Sequence, residues 1–220
     1  MNKEVERMPM FTAGRGSAMT YRAWNEAVIC LSDLQRRYVE LTCHFPMFYG
    51  GARSGKSFMA CLNAVLTASS KEDATYLVVS CLGYRGTLRH ISQTVALLEQ
   101  LGIEHKVNKT ADTVWIQKNR SMIRFAESKK IAEGICWLRP FDGVGVDDFD
   151  ALYTGPIDGR HNQEAFLRQI GRKVAPNARV RFYCTPSQHK NGLDYTRWRN
   201  PNSNTAFYDY VQEETNEETV

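Results

Sequence analysis

Apolar residues return every three or four positions at Trp24, Val28, Leu31, Leu34, Tyr38 and Leu41, and predict a helix over 21–42. From there the pattern alternates. "FPMFY" (45–49) reads as a short apolar strand, and residues 55–68 as a helix with Phe58, Met59, Leu62, Val65 and Leu66 on one face. "TYLVVS" (75–80) is apolar without alternation, the pattern of a strand covered on both faces of a parallel sheet. Leu88, Ile91, Val95, Leu98 and Leu101 predict the next helix, with Gly102 as its C-terminal cap. "TVWIQ" and "SMIRFA" flank "KNR" as a hairpin at a sheet edge. "GVGV" (143–146) reads as a weaker strand, followed by a helix near 161–173 and a last strand over 178–184. Strands alternating with helices imply an α/β fold with a mainly parallel central sheet flanked by helices and decorated by the hairpin.

The pattern divides the chain into an arm without sustained period (1–20), one domain (21–212) and an acidic tail or start of a linker (213–220). Composition agrees with a globular domain: 43% of residues are hydrophobic and 24% charged. The formal charge is +4. The last eight residues carry four glutamates, so the body holds about +8, compatible with a polyanionic partner. Six cysteines are scattered with no zinc-like spacing, and most sit in apolar runs, where buried reduced thiols are expected. Neither a signal peptide nor a membrane-length apolar run is visible, which points to a cytosolic protein.

Between the 45–49 strand and the helix after it lies Gly50-Gly51-Ala52-Arg53-Ser54-Gly55-Lys56-Ser57, which fits the P-loop pattern G-x-x-x-x-G-K-[ST]. Glycines let backbone N–H groups turn inward as a nest for phosphate oxygens at a helix N-terminus. Lys56 then reaches the β- and γ-phosphates, and the Ser57 hydroxyl ligates Mg²⁺. ATP and Mg²⁺ are therefore the expected ligands. Such a loop needs an acidic partner at a neighbouring strand end, and "GVGVDDFD" supplies it. Asp147 is expected in the metal shell and Asp148 as the carboxylate that polarises the attacking water. The spacing leaves open which of the two is catalytic, because Asp142 and Asp150 lie close by, and an acidic turn capping the next element is the competing reading.

The order of these motifs resembles the ATPase motor domain of a tailed-phage terminase large subunit. "LSDLQRRYVEL" (31–41) is similar to that family's adenine-recognition segment, with Gln35 in the key place. "NRSMIRFAESKK" (119–130) resembles the hairpin before its acidic strand, and "RFYCTPSQ" (181–188) its coupling motif. The resemblance implies an ASCE/RecA-like P-loop ATPase that translocates double-stranded DNA into a capsid. It also implies that Gln35 reads the adenine edge, that Thr185 couples hydrolysis to DNA movement, and that Arg53 acts as an arginine finger, within its subunit or between subunits. The implied partners are DNA, a capsid portal and a small terminase subunit. The working form would be a homo-oligomeric ring, with a monomer in isolation, in the cytoplasm of the infected host and docked on the procapsid. Two departures stand out: Asp-Asp replaces the family's Asp-Glu, and the loop arginine sits one position later than in many members. No nuclease activity is expected, since the chain ends about thirty-five residues after "CTP".

A motor that moves DNA grips phosphates without reading bases. Lys129 and Lys130, Arg168, Arg172 and Lys173, and Lys190, Arg197 and Arg199 are the candidates, although a solvated basic face explains each cluster as well. The alternatives in view are a helicase-like or other nucleic-acid-remodelling ATPase, a small-molecule kinase, and a nucleotide-binding assembly factor with weak hydrolysis.

Overall fold

The computed structural model describes residues 10–13, 19–22, 28–41, 43–133, 139–152, 163–185 and 208–212. Strands β1 (Met10–Ala13), β2 (Met19–Arg22) and β3 (Val28–Leu31) form a small antiparallel sheet. Helix α1 (Asp33–Glu40) follows at once. The helix expected over 21–42 is thus confined to its C-terminal third, and the arm expected over 1–20 contributes two strands. The reason is local. Ser32 caps α1, its hydroxyl accepting from the Gln35 N–H at 3.3 Å while its own N–H donates to Gln35 Oε1 at 3.0 Å. This reciprocal S-x-x-Q box fixes where the helix starts, and the β-branched residues just before it pair as a strand. The three- and four-residue spacing simply ran across the cap.

The main sheet has eight strands: β4 (Phe45–Tyr49), β5 (Thr75–Ser80), β6 (His105–Asn108), β7 (Thr113–Ile116), β8 (Ser121–Glu127), β9 (Phe141–Asp147), β10 (Val174–Cys184) and β11 (Tyr208–Gln212). Their order is β11-β4-β10-β9-β5-β8-β7-β6. All pairs from β11 to β8 are parallel, and β8-β7-β6 is an antiparallel meander at one edge. The expected hairpin is therefore present, with β6 added outside it. Helices α2 (Lys56–Ser70) and α3 (Tyr84–Gln100) are joined by α4 (Ser128–Ala132) and α5 (Gln163–Gly171). Helix α3 ends as foreseen: Gly102 N–H reaches Glu99 O at 3.0 Å and Ile103 N–H reaches Leu98 O at 2.8 Å, the paired bonds of a Schellman cap.

Strand β5 shows why a run without alternation belongs in the middle. Tyr76 and Val78 join the core on the α2–α3 face, while Leu77 and Val79 join the core on the opposite face with Phe149, Phe166 and Phe182. The glycine-broken β9 is a full central strand for a related reason. The Tyr76 ring lies over it, and a β-carbon at residue 143 would come within 2.6 Å of that ring. Glycine there makes room for an aromatic neighbour. Arg181 of β10 is buried under the Tyr38 ring, its guanidinium carbon 5.4 Å from the centroid. Cys61 and Cys184 are buried, Cys43 and Cys81 are partly so, and Cys30 is exposed; Cys136 lies outside the described residues. Among the described residues, no helix is long and apolar enough to cross a membrane.

Candidate active site

Parallel sheets place ligands at the C-terminal ends of their strands, and the sequence motifs converge there. Strand β4 is buried and apolar up to Tyr49, after which the chain wraps through Gly50–Gly55 into α2. The Gly50 N–H donates to Cys184 O at 3.2 Å, tying the loop to the end of β10. Gly55 sits at φ 89°, in the left-handed region, with the Gln35 amide where its β-carbon would be. Arg53 also adopts a left-handed φ of 70° and is exposed, as is Ala52. The Lys56 ammonium is buried and donates to Gly50 O at 2.6 Å and Gly51 O at 2.7 Å.

One residue on, the Ser57 hydroxyl donates to Asp147 Oδ2 at 2.6 Å, closing a gap of 90 residues in sequence. Asp147 ends β9 and is fully buried. Two residues of α3 that the sequence reading did not single out complete the cluster. His90 Nε2 lies 2.8 Å from the same Asp147 oxygen, and both side chains are inaccessible. Arg89 Nη2 donates to Ser57 Oγ at 3.2 Å and approaches Asp147 at 3.7 Å and Asp148 at 3.9 Å. The apolar spacing on α3 put Leu88 on the inner face, yet Leu88 is exposed and Thr87, His90 and Thr94 are buried. The signal that could have revealed this face is the polar stripe at 87, 90 and 94, itself at helical spacing.

The two adjacent carboxylates are driven apart. Burial pushes Asp147 up, but the hydrogen bond and charge of His90, the Ser57 hydroxyl and Arg89 outweigh it and hold the group below the usual carboxylate value. Asp148 is pushed up to about 6 by burial and by the charges of Asp147 and Asp150, against the pull of Arg89 and Lys56. Such a split supplies one ionised oxygen ligand and one proton acceptor near neutral pH. Asp148 also takes a left-handed φ of 55° at the entry to the turn Phe149–Ala151. Local strain of this kind costs on the order of 1–3 kcal/mol and collects at functional sites.

The remaining candidates fall in different places. Gln35 donates its amide to Ser54 O at 3.3 Å while its oxygen serves the α1 cap, so both ends of the amide brace the loop. The Thr185 N–H donates to Asp150 Oδ1 at 3.0 Å, joining the end of β10 to the turn after β9. Lys130 is ion-paired with Asp112 and Glu127 and lies over the Tyr84 ring, whereas Lys129, Arg168 and Arg172 are exposed. Lys190, Arg197 and Arg199 lie outside the described residues.

This is the fold of an ASCE-type P-loop NTPase: β10 separates the P-loop strand β4 from the acidic strand β9, and the sheet is mainly parallel. Solved structures of the same architecture include phage large terminases. The large terminase ATPase domain of Thermus phage P74-26 superposes with a TM-score of 0.59 at 14% identity, over 81% of this chain and 79% of that one. The HK97 bacteriophage large terminase gives 0.65 at 11% identity, over 88% of this chain and 41% of that protein. The large terminase of the thermophilic bacteriophage D6E, in complex with ADP, gives 0.57 at 13% identity, over 82% and 45%. The chain thus spans less than half the length of the last two. No protein-family model and no curated protein matches it.

Proposed function

We propose that this chain is an ATP-hydrolysing motor domain of terminase large subunit type, which moves double-stranded DNA into a viral capsid. The observation that carries the reading is the 2.6 Å bond from Ser57 to Asp147, which brings the P-loop helix and the acidic strand to one point with Asp148 beside it. The architecture shared with the phage large terminases, one of them in complex with ADP, supports it.

In this reading the loop from Gly50 to Ser57 wraps the phosphates, and Lys56 exchanges its loop carbonyls for β- and γ-phosphate oxygens. The donor set fits Mg²⁺: Ser57 and Asp147 offer hard oxygens, and Asp147 Oδ1 is buried without a hydrogen-bond partner among the described residues. When bound there, Mg²⁺ supplies charge neutralisation on the phosphates. Asp148 accepts the proton of the attacking water, its raised pKa matching that task. Arg89, beside Ser57 and both aspartates, steadies charge on the transferring phosphoryl group, and exposed Arg53 does so for its own or a neighbouring subunit. Gln35 holds the loop from the adenine side. Thr185 and Asp150 couple the site to β10.

The partners are double-stranded DNA, a capsid portal and a small terminase subunit, in a homo-oligomeric ring docked on the procapsid in the host cytoplasm. The assay is steady-state ATP hydrolysis with Mg²⁺, with and without duplex DNA. Lys56→Ala is expected to abolish turnover, and unchanged turnover in that variant refutes the proposal. Tight ATP binding with no turnover in the unmodified chain, even with DNA present, selects the assembly-factor reading instead.

A further inference from the structure

At the opposite end of the sheet, by the N-terminal ends of β5, β8 and β9, lies a groove of about 820 Å³. Its floor is a row of cross-strand neighbours on one face: Lys106 of β6, Trp115 of β7, Met122 of β8 and Thr75 of β5. Val114 and Ile116, which alternate with Trp115, point into the core under α3. The face that carries Trp115 is left open, and the indole is 43% exposed. A half-exposed indole offers a flat apolar face on which a planar aromatic group can stack.

The walls are cationic. Arg124 lies two residues beyond Met122 on β8, and Arg139 precedes β9. Arg120 also lines the groove but is committed to Asp73 at 3.0 Å and Glu72 at 3.8 Å. Among the described residues, Lys106, Arg124 and Arg139 have no carboxylate partner, so three unpaired positive charges line the groove with the indole, beside the Arg120-paired Asp73.

We propose that this groove binds a nucleic-acid strand with unpaired bases, its phosphates on Lys106, Arg124 and Arg139 and one base stacked on Trp115. Cations that follow a backbone beside an exposed aromatic platform are the means by which single strands are held without sequence preference. Duplex buries its base faces and would leave the indole unused, so the aromatic floor selects the single strand. Among the described residues, none of the basic residues marked from the sequence lines this groove. The site extends the DNA-moving reading, and it lies at the other end of the strands from the P-loop, so strand binding and ATP hydrolysis fail independently.

The test is fluorescence anisotropy of a labelled oligothymidylate and of a blunt duplex of equal length, with the full chain and without nucleotide. Trp115→Ala is expected to weaken oligothymidylate binding by roughly 5- to 150-fold, with Trp115→Phe recovering most of it. Combined Lys106→Gln, Arg124→Gln and Arg139→Gln changes are expected to flatten the slope of log affinity against log salt by about 2, from roughly 0.7 per phosphate contact. ATP hydrolysis by Trp115→Ala is expected to match the unmodified chain. Unchanged affinity in Trp115→Ala, or an unchanged salt slope in the triple variant, overturns the proposal. A duplex whose affinity falls in Trp115→Ala as much as that of the oligothymidylate overturns it as well.

Discussion

Replacing His90 with leucine isolates the contact that holds Asp147 in place. His90 Nε2 and Asp147 Oδ2 are 2.8 Å apart and both groups are inaccessible to water. A buried hydrogen bond to an ionised group contributes roughly 1.5–3 kcal/mol. Leucine has a similar volume, so little cavity energy adds to the loss. Asp147 keeps the Ser57 hydroxyl at 2.6 Å and Arg89 at 3.7 Å, which sets the expected cost near the middle of that range, about 2 kcal/mol. With a urea dependence of about 2 kcal/mol/M, the unfolding midpoint should fall by about 1 M. Loss of an outer-shell partner also weakens metal affinity by roughly 10- to 100-fold, so the Mg²⁺ concentration that half-saturates ATP hydrolysis should rise by that factor. His90→Gln returns an N–H donor at similar reach and should recover most of both effects. An unshifted midpoint together with an unshifted Mg²⁺ requirement in His90→Leu would refute the reasoning.

Other outcomes follow from the same geometry. Asp148 has a folded-state pKa of about 6, above the ordinary value of about 3.9, so the folded state holds its proton more tightly than the unfolded chain. The stability this contributes is full below about pH 4 and is lost as pH rises through 6. Between pH 5 and 7 in EDTA, unfolding free energy should fall by about 1.3 kcal/mol. Asp148→Asn should abolish that decline, in a surrounding of Asp147, Asp150, Arg89 and Lys56. Asp147, held low, works in the opposite sense only below about pH 4 and leaves this window untouched. Phe182→Ala removes a fully buried ring packed 4.6 Å from Phe149, and should lower stability by about 3–5 kcal/mol in urea unfolding. Ser32→Ala removes one half of the α1 cap and should cost about 1 kcal/mol by the same measurement.

What the sequence revealed depended on how local the signal was. The P-loop was legible because its eight residues carry their own geometry, and β5 because a strand buried on both faces shows no alternation. Asp147 and Asp148 could be singled out because the chemistry of a P-loop requires such a pair, and Asp147 does meet Ser57. The start of α1 was misjudged because apolar spacing does not register a cap, although Ser32 and Gln35 were there to be read. Arg89 and His90 stayed hidden for a different reason. The first turns of the inner face of α3 carry polar residues, and Thr87, His90 and Thr94 are buried where α3 packs on α2, β5 and β8. The Trp115 groove was invisible in principle, since it exists only when four strands lie side by side.

The most direct test of the central claim is a crystal structure with a non-hydrolysable ATP analogue and Mg²⁺. The account predicts that Lys56 leaves the carbonyls of Gly50 and Gly51 for the β- and γ-phosphates, with Ser57 and Asp147 at the metal and Asp148 facing the γ-phosphate. An analogue bound away from the Gly50–Ser57 loop, or a triphosphate in the loop with neither aspartate near its metal, would contradict it.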